Sequence, residues 1–254
     1  MLRARLIPVL LLKNGRLVKP KRFGGGGERD VGSPVTTAGI YDSQDADELV
    51  FLDISATGEG RKFLLDTLEK VAKNCFVPLT AGGGIKTIGD VQEVLNKGAD
   101  KVAVNTAAVE RPELITKIAD KFGSQCVVVS VDAKKIGDGY KVYTRGGKHA
   151  TDYSVIDWVK EACARGAGEI LLTSIDKEGM MNGYDLDLTR EAAESVSIPI
   201  IANGGAGSRQ DFVDAINKGH ASAVAASSVF HFSDSNLTQV KSFMFNAGIK
   251  VRPI

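Results

Sequence analysis

The stretch Val77-Pro78-Leu79-Thr80-Ala81-Gly82-Gly83-Gly84 returns later in the chain as Ile198-Pro199-Ile200-Ile201-Ala202-Asn203-Gly204-Gly205, an offset of 121 residues. Self-similarity at a fixed offset is read before any fold is chosen, because it reports a duplicated structural unit. The same offset carries Glu48 onto Glu169, Gly58 onto Gly179, Gly98 onto Gly219, and Asn105-Thr106 onto Ala226-Ser227. It also carries Pro8-Val9-Leu10-Leu11-Leu12-Lys13 onto Val129-Ser130-Val131-Asp132-Ala133-Lys134.

Eight short runs surround and include this repeat: residues 5–12, 49–53, 77–81, 101–105, 126–132, 169–174, 199–203 and 222–226. They are apolar on both faces, as parallel strands covered by helices must be. Helical spacing separates them, as at 61–71 and at 152–165, the latter closed by Gly166. Two similar halves of four βα units predict a (β/α)8 TIM barrel with a two-fold half-barrel repeat. The expectation is one domain over residues 1–254, with halves at about 1–121 and 122–254. A doubly wound open sheet also alternates β and α, but it gives no reason for a half-length repeat.

Composition limits the function classes. With 254 residues and 43% apolar content, the chain can bury a full core as one large domain or two small ones. Its 32 Lys+Arg against 31 Asp+Glu leave no basic coat for nucleic acid or an anionic membrane, so any anion site must be local. Cys75, Cys126 and Cys163 have no ligand spacing and read as reduced core thiols; no metal or other cofactor is expected. The apolar run at residues 6–12 is broken by Pro8 and followed by Lys13-Asn14-Gly15, which reads as a buried first strand, not a secretory leader. No run reaches the ~18 apolar residues of a membrane span, and a cytoplasmic location is expected.

In such barrels the site lies at the C-terminal ends of the strands. Gly82-Gly83-Gly84 after strand three and Gly204-Gly205-Ala206-Gly207 after strand seven each precede a helix. Glycine permits close backbone approach, and free N–H groups of loop and helix N-terminus make an anion cradle. Asn105-Thr106 and Ala226-Ser227-Ser228 add hydroxyls and an amide beside each cradle, so two phosphate sites on opposite sides of the mouth are expected. Between them Asp132 ends strand five as a candidate general acid or base, while its repeat mate is Leu11. Asp53, Asp176, Lys13 and Lys19 are further charges near the rim. At the opposite end Arg5, Glu48, Lys101 and Glu169 stand at strand starts, where two acids and two bases can neutralise one another as a structural plug. His149, His220 and His231 read as structural or surface residues, and Gly24 to Gly27 as a mobile loop.

The chain resembles the HisF family, the cyclase subunit of imidazole glycerol phosphate synthase, over essentially its whole length. The matching stretches include residues 47–54, Gly82-Gly83-Gly84-Ile85, 98–102, 105–109, 166–176 and Gly204-Gly205-Ala206-Gly207. The resemblance implies a HisH-like glutaminase docked at the barrel base as the other half of a heterodimer. It implies ammonia passing up the interior and adding to a bisphosphorylated nucleotide at the mouth. Arg5, Glu48, Lys101 and Glu169 would then form an ammonia gate instead of an inert plug, and Asp100 would face the glutaminase. Phosphate binding would fall to Gly84, Asn105 and Thr106 in one half, and to Gly179, Gly205, Ala226 and Ser227 in the other.

Three departures qualify the resemblance. Leu11 stands where the family has its first catalytic aspartate, Glu178 stands where loop six usually has aspartate, and Gly24 to Gly27 lengthens the first loop. A leucine cannot transfer a proton, and loss of a positioned acid or base typically costs 10²–10⁴-fold. Leu11 resembles the WbuZ-type glycosyl-amidation paralogues, so the leading expectation is ammonia supply for amidation of a surface-polysaccharide sugar, with a sugar amidotransferase as further partner. The alternative is a working cyclase in histidine biosynthesis, and a third possibility is a scaffold that only activates its glutaminase.

Overall fold

The computed structural model describes residues 3–21, 23 and 26–253. Eight parallel strands close on one another: β1 (Arg5–Lys13), β4 (Leu49–Asp53), β5 (Leu79–Gly82), β6 (Lys101–Val104), β7 (Val127–Ile136), β10 (Glu169–Ser174), β11 (Ile200–Asn203) and β12 (Ala223–Ala226). Pairing of Arg5 with Ala223 and of Ile170 with Ile200 are two of the eight seams that complete the (β/α)8 barrel. Helices α1 (Pro34–Ser43), α2 (Leu65–Ala72), α3 (Ile88–Asn96), α4 (Thr106–Glu110), α5 (Glu113–Phe122), α6 (Val155–Ala164), α7 (Leu186–Ser195), α8 (Arg209–Asn217), α9 (Ser228–Phe232) and α10 (Leu237–Asn246) connect and cover the strands.

Side chains alternate across each strand, so one barrel has two cores. Along β1, Leu6, Leu10 and Leu12 join the large outer core between strands and helices. Ile7 and Val9 belong instead to a small inner core with Val50, Ala103, Val128, Leu171, Ile201, Ala223 and Ala225, against which Leu11 and Leu52 pack. That alternation is why the strands are apolar on both faces. It also fixes what else enters the lumen: the residues two positions before and after these, namely the charges at the base and the polar groups at the mouth.

The repeat is visible in local structure. Helices α3 and α8 keep the offset of 121 residues, as do their capping boxes, Thr87 with Asp90 and Ser208 with Asp211. The loops before them turn through Gly83-Gly84 and Gly204-Gly205, all four at positive φ. A Cβ on Gly83 would strike the Asp53 carbonyl, and one on Gly205 would strike the Gly183 carbonyl. Each half also carries a hairpin absent from the sequence reading. Strands β2 (Arg16–Lys21) and β3 (Gly26–Gly32) extend β1, and β8 (Gly139–Thr144) and β9 (His149–Ser154) extend β7. The first turns at Asn14 and Gly15, both at positive φ, which is the type I′ geometry Asn-Gly favours.

Several boundaries are corrected. The helix read over 61–71 begins only at Leu65, because Arg61 is held in a loop by its ion pair with Asp53. That read from residue 152 begins at Val155, since residues up to Ser154 finish β9 and the Ser154 side chain caps the helix by accepting from the Asp157 N–H at 3.1 Å. Of the expected mobile loop, Gly24 and Gly25 lie outside the described residues, whereas Gly26 and Gly27 open a strand paired with β2.

Gly83→Ala is expected to lower unfolding stability by about 2–4 kcal/mol, from backbone strain plus collision with fixed main chain. Gly15→Ala, at φ +78° with open space around it, should cost only about 1–2 kcal/mol. Urea denaturation of the two variants checks the difference.

Candidate active site

At the mouth, Asp132 projects inward near the end of β7, where β7 leaves the barrel to pair with β8. It is 6% exposed, and its carboxylate accepts a hydrogen bond from the Asn105 amide at 2.8 Å. Burial is the main cause that raises its pKa, to about 7; the negative charge of Glu178 adds to the shift, and the Asn105 bond opposes it. A carboxyl group near neutrality is half-protonated at working pH, suited to give or take a proton. Counting round the ring, β1 and β7 are diametrically opposed. Leu11 therefore faces Asp132 across the mouth, and the wall it offers is apolar.

The second-half residues singled out for phosphate come together. Gly179, Gly205, Ala226 and Ser227 line one small open cleft, with Glu178, Gly204 and Ser228. The Ser227 hydroxyl is buried there without a partner, an unusual state for a buried polar atom and one a ligand oxygen would relieve. The first-half set is not gathered in this way. Gly84 lines a separate cleft with Lys62, Phe63 and Asp90. Asn105 turns to Asp132, and the Thr106 hydroxyl accepts the Arg145 N–H at 2.9 Å.

The other rim charges take structural partners. Asp53 is held by the Arg61 guanidinium at 2.6 and 3.0 Å and accepts N–H bonds from Ser55 and Ala56. Asp176 accepts the Lys135 N–H at 3.0 Å, and Lys13 pairs with Glu28 at the surface. Lys19, on the first hairpin, is 3% exposed and pairs with Glu178. Two histidines also have partners: His231 Nδ1 lies 3.3 Å from the Tyr41 hydroxyl, and His220 lies 3.0 Å from Glu194. Burial, reinforced by the charge of Lys19, lowers His231 to about 4. The Lys19–Glu178 pairing joins residues 159 positions apart, and no local pattern announces it. The hairpin that carries Lys19 was legible in Asn14-Gly15.

At the base, four charges form a closed circuit. Arg5 reaches Glu48 and Glu169 at 2.8 Å each, and Lys101 reaches the same two carboxylates at 2.8 and 3.0 Å. The Thr80 hydroxyl donates to Glu48 at 2.6 Å. Burial alone would lower the Arg5 pKa, but the two carboxylates outweigh it and raise it. Asp100 stands beside the circuit with an exposed side chain, one oxygen accepting the Leu79 N–H at 2.8 Å. Among the described residues no three His, Cys, Asp or Glu side chains gather to hold a metal, and no helix is long and apolar enough to cross a membrane.

An apolar lumen closed by paired charges at its base, with a near-neutral carboxyl group and a backbone-lined cleft at its mouth, defines a (β/α)8 barrel whose chemistry sits at the strand C-termini. More particularly, the chain belongs to the histidine biosynthesis protein family, whose profile matches residues 5–236. It is similar to the imidazole glycerol phosphate synthase subunit HisF of Halalkalibacterium halodurans, at 51% identity over 99% of this chain and 100% of the relative. The subunit of the same name from Bacillus subtilis is 50% identical with the same coverage, and that from Natranaerobius thermophilus is 49% identical. These names correct the preference for a surface-polysaccharide paralogue: they favour the cyclase reading.

Asp132 carries a prediction with a definite sign. Its folded pKa, about 7, lies above the ordinary 3.8, so between these values the native state binds more protons than the unfolded one. Its contribution to stability is then intact below pH ~4 and declines as pH rises towards 7. Asp132→Asn should therefore gain stability relative to the parent between pH 4.5 and pH 8, on the order of a few kcal/mol. Urea midpoints of both proteins at the two pH values decide; a difference that does not change with pH would contradict the assigned burial.

Proposed function

We propose that this chain is the cyclase subunit of an imidazole glycerol phosphate synthase, receiving ammonia from a HisH-like glutaminase and adding it to a bisphosphorylated ribulosyl-formimino nucleotide. The products would be imidazole glycerol phosphate and an aminoimidazole carboxamide ribotide. The observation that carries the reading is the pairing of two ends on one lumen: the Arg5–Glu48–Lys101–Glu169 circuit at the base and Asp132 at the mouth. Identity of about half the residues to relatives named HisF supports it.

In this reading Asp100 meets the glutaminase, and the four-charge circuit is the gate that admits ammonia. A closed circuit suits gating, because a side chain that swings away leaves a buried charge unpaired and is drawn back. Ammonia crosses the inner core as the neutral molecule, since an apolar lumen disfavours any ion. At the mouth, Gly179, Gly205, Ala226 and Ser227 hold one phosphate and Gly84, Asn105 and Thr106 the other, with Asn105 also orienting Asp132. Asp132 exchanges the protons that ring closure and cleavage require. The whole of residues 1–254 acts as one barrel domain built from half-repeats of about 1–121 and 122–254.

Leu11 supports a second reading. With no carboxylate opposite Asp132, the chain would conduct ammonia and deliver it to a separate sugar amidotransferase. One experiment separates the two. The purified chain is assayed with ammonium salts and the bisphosphorylated nucleotide, and tested for complementation of a histidine auxotroph. The cyclase reading expects turnover that falls by about 10² or more in Asp132→Asn and rises in Leu11→Asp, as restored acid–base chemistry requires. Absence of turnover and of complementation, with Leu11→Asp restoring neither, would leave the second reading.

A further inference from the structure

The four-charge circuit at the base depends on the spacing of β1 and β4, and that spacing is set by residues just outside the circuit. Asp47 precedes Glu48 and Leu6 follows Arg5, and the two are joined in both directions. The Asp47 N–H donates to the Leu6 carbonyl at 3.1 Å, and the Leu6 N–H donates to Asp47 Oδ2 at 2.8 Å. Strand β4 begins only at Leu49, so the carboxylate supplies an acceptor that the main chain of the strand does not yet offer. One residue away on each segment, Arg5 meets Glu48 at 2.8 Å. The reciprocal bond therefore fixes the two backbone positions from which these side chains reach.

The same geometry occurs at a second aspartate. Asp100 precedes Lys101, its N–H donates to the Leu79 carbonyl, and its carboxylate accepts the Leu79 N–H, at 2.8 Å each. Leu79 in turn precedes Thr80, whose hydroxyl donates to Glu48. Each aspartate thus ties together the neighbours of two groups that meet around Glu48. The offset of 121 residues carries Asp47 onto Gly168 and Asp100 onto Ala221, so the half that holds Glu169 has no carboxylate at these positions. The two aspartates differ in burial. Asp100 is exposed, whereas the Asp47 side chain is 5% exposed and its charge is met from outside the barrel. Lys241, fully buried on α10, reaches Asp47 Oδ1 at 2.7 Å and the Asp45 carbonyl at 2.5 Å, and Arg252 Nε approaches the same Asp47 oxygen at 3.2 Å. A buried carboxylate without such partners would be unfavourable. An ion pair that only fastened α10 to the barrel would need neither the Leu6 bond nor a place beside Glu48.

We propose that Asp47 is the positioning residue of the base circuit: its carboxylate sets the spacing between Arg5 and Glu48, and Lys241 supplies the charge that lets it stay buried. The proposal rests on the reading of the circuit as the entrance for ammonia, and adds to it the residue that holds this entrance in shape. Asp47 touches neither ammonia nor the nucleotide; it acts through Glu48. Its consequence is fidelity of transfer. A circuit whose carboxylates are displaced admits water, and ammonia released at the base is then protonated or lost to solvent before it enters the apolar lumen.

The test uses the complex of the full-length chain with its HisH-like glutaminase, and takes the ratio of glutamine-driven to ammonium-driven turnover of the bisphosphorylated nucleotide, alongside thermal unfolding of each variant. The double variant Asp47→Leu/Lys241→Met removes the carboxylate and its buried counter-charge together, so it strands neither and is expected to fold. Its ratio should fall about fivefold or more, as misplacement of a positioned group requires. Asp47→Asn/Lys241→Met keeps an acceptor for the Leu6 N–H and should return the ratio to within about twofold of the parent. Leu237→Ala, at a fully buried position at the start of α10, should lower the unfolding temperature and leave the ratio unchanged. An unchanged ratio in Asp47→Leu/Lys241→Met, an Asn variant as poor as the Leu variant, or an equal fall in Leu237→Ala would overturn the inference while leaving the entrance reading standing. No product from glutamine in the parent complex would remove the entrance reading, and the inference with it.

Discussion

Closure of eight parallel strands sends every second side chain of each strand into one narrow lumen, and that constraint orders the rest of the molecule. The lumen has no room for water-solvated charge, so its middle is filled by Ile7, Val9, Val50, Ala103, Val128, Leu171, Ile201, Ala223 and Ala225. Polar groups survive only at the two ends, and they survive by different means. At the base four charges neutralise one another and Thr80 satisfies one further carboxylate oxygen. At the mouth burial instead moves the acid itself, holding Asp132 partly protonated near neutral pH. Pairing and pKa displacement are the two ways a protein can keep an ionisable group out of water, and this barrel uses one at each end.

The duplication explains where the clefts lie but not what they do. Helices α3 and α8, their capping boxes and the glycine turns before them repeat at one offset. The side chains around the two turns have diverged. After the second turn, Ser227 is left without a partner in an open cleft lined by backbone. After the first, Asn105 is drawn to Asp132 and Thr106 to the second hairpin. The same divergence separates Leu11 from Asp132: one ancestral position holds the mouth's acid, and its counterpart packs against the inner core. Symmetric backbone with asymmetric side chains suits a ligand whose two ends are chemically alike and whose reacting centre is not.

Much of this was legible in the chain because it is written in local terms. Strand runs at 49–53 and 169–174 coincide with β4 and β10, since a strand buried on both faces is apolar throughout. The base circuit could be read because Arg5, Lys101 and Glu169 open strands, and Glu48 immediately precedes one, so the topology alone brings them to one end. The hairpins escaped because their outer strands, Gly26–Gly32 and His149–Ser154, are polar and carry no buried apolar stripe among the described side chains. Their signal lay in the turns, Asn14-Gly15 and Gly137-Asp138, where positive φ is needed. The partner of Lys19 had no signal at all. A long-range ion pair is decided by how the hairpin folds back over the barrel, and neither residue's neighbours in sequence record it.

The charges at the two ends also restrict what can travel between them. A cation leaving the base circuit would have to shed its partners and then cross a wall of aliphatic side chains, while a neutral amine keeps no such debt of solvation. Any proton given up on entry must be returned at the mouth, where Asp132 stands half-protonated, and Leu11 opposite offers no second acceptor. In the proposed reading the lumen would therefore favour a small neutral base over any ion, whichever acceptor waits beyond it. That selectivity follows from the inner core and the circuit alone, so it is common to the cyclase reading and to ammonia delivery elsewhere. What divides them is confined to the few residues around Leu11 and Asp132, at the mouth where such barrels carry their chemistry.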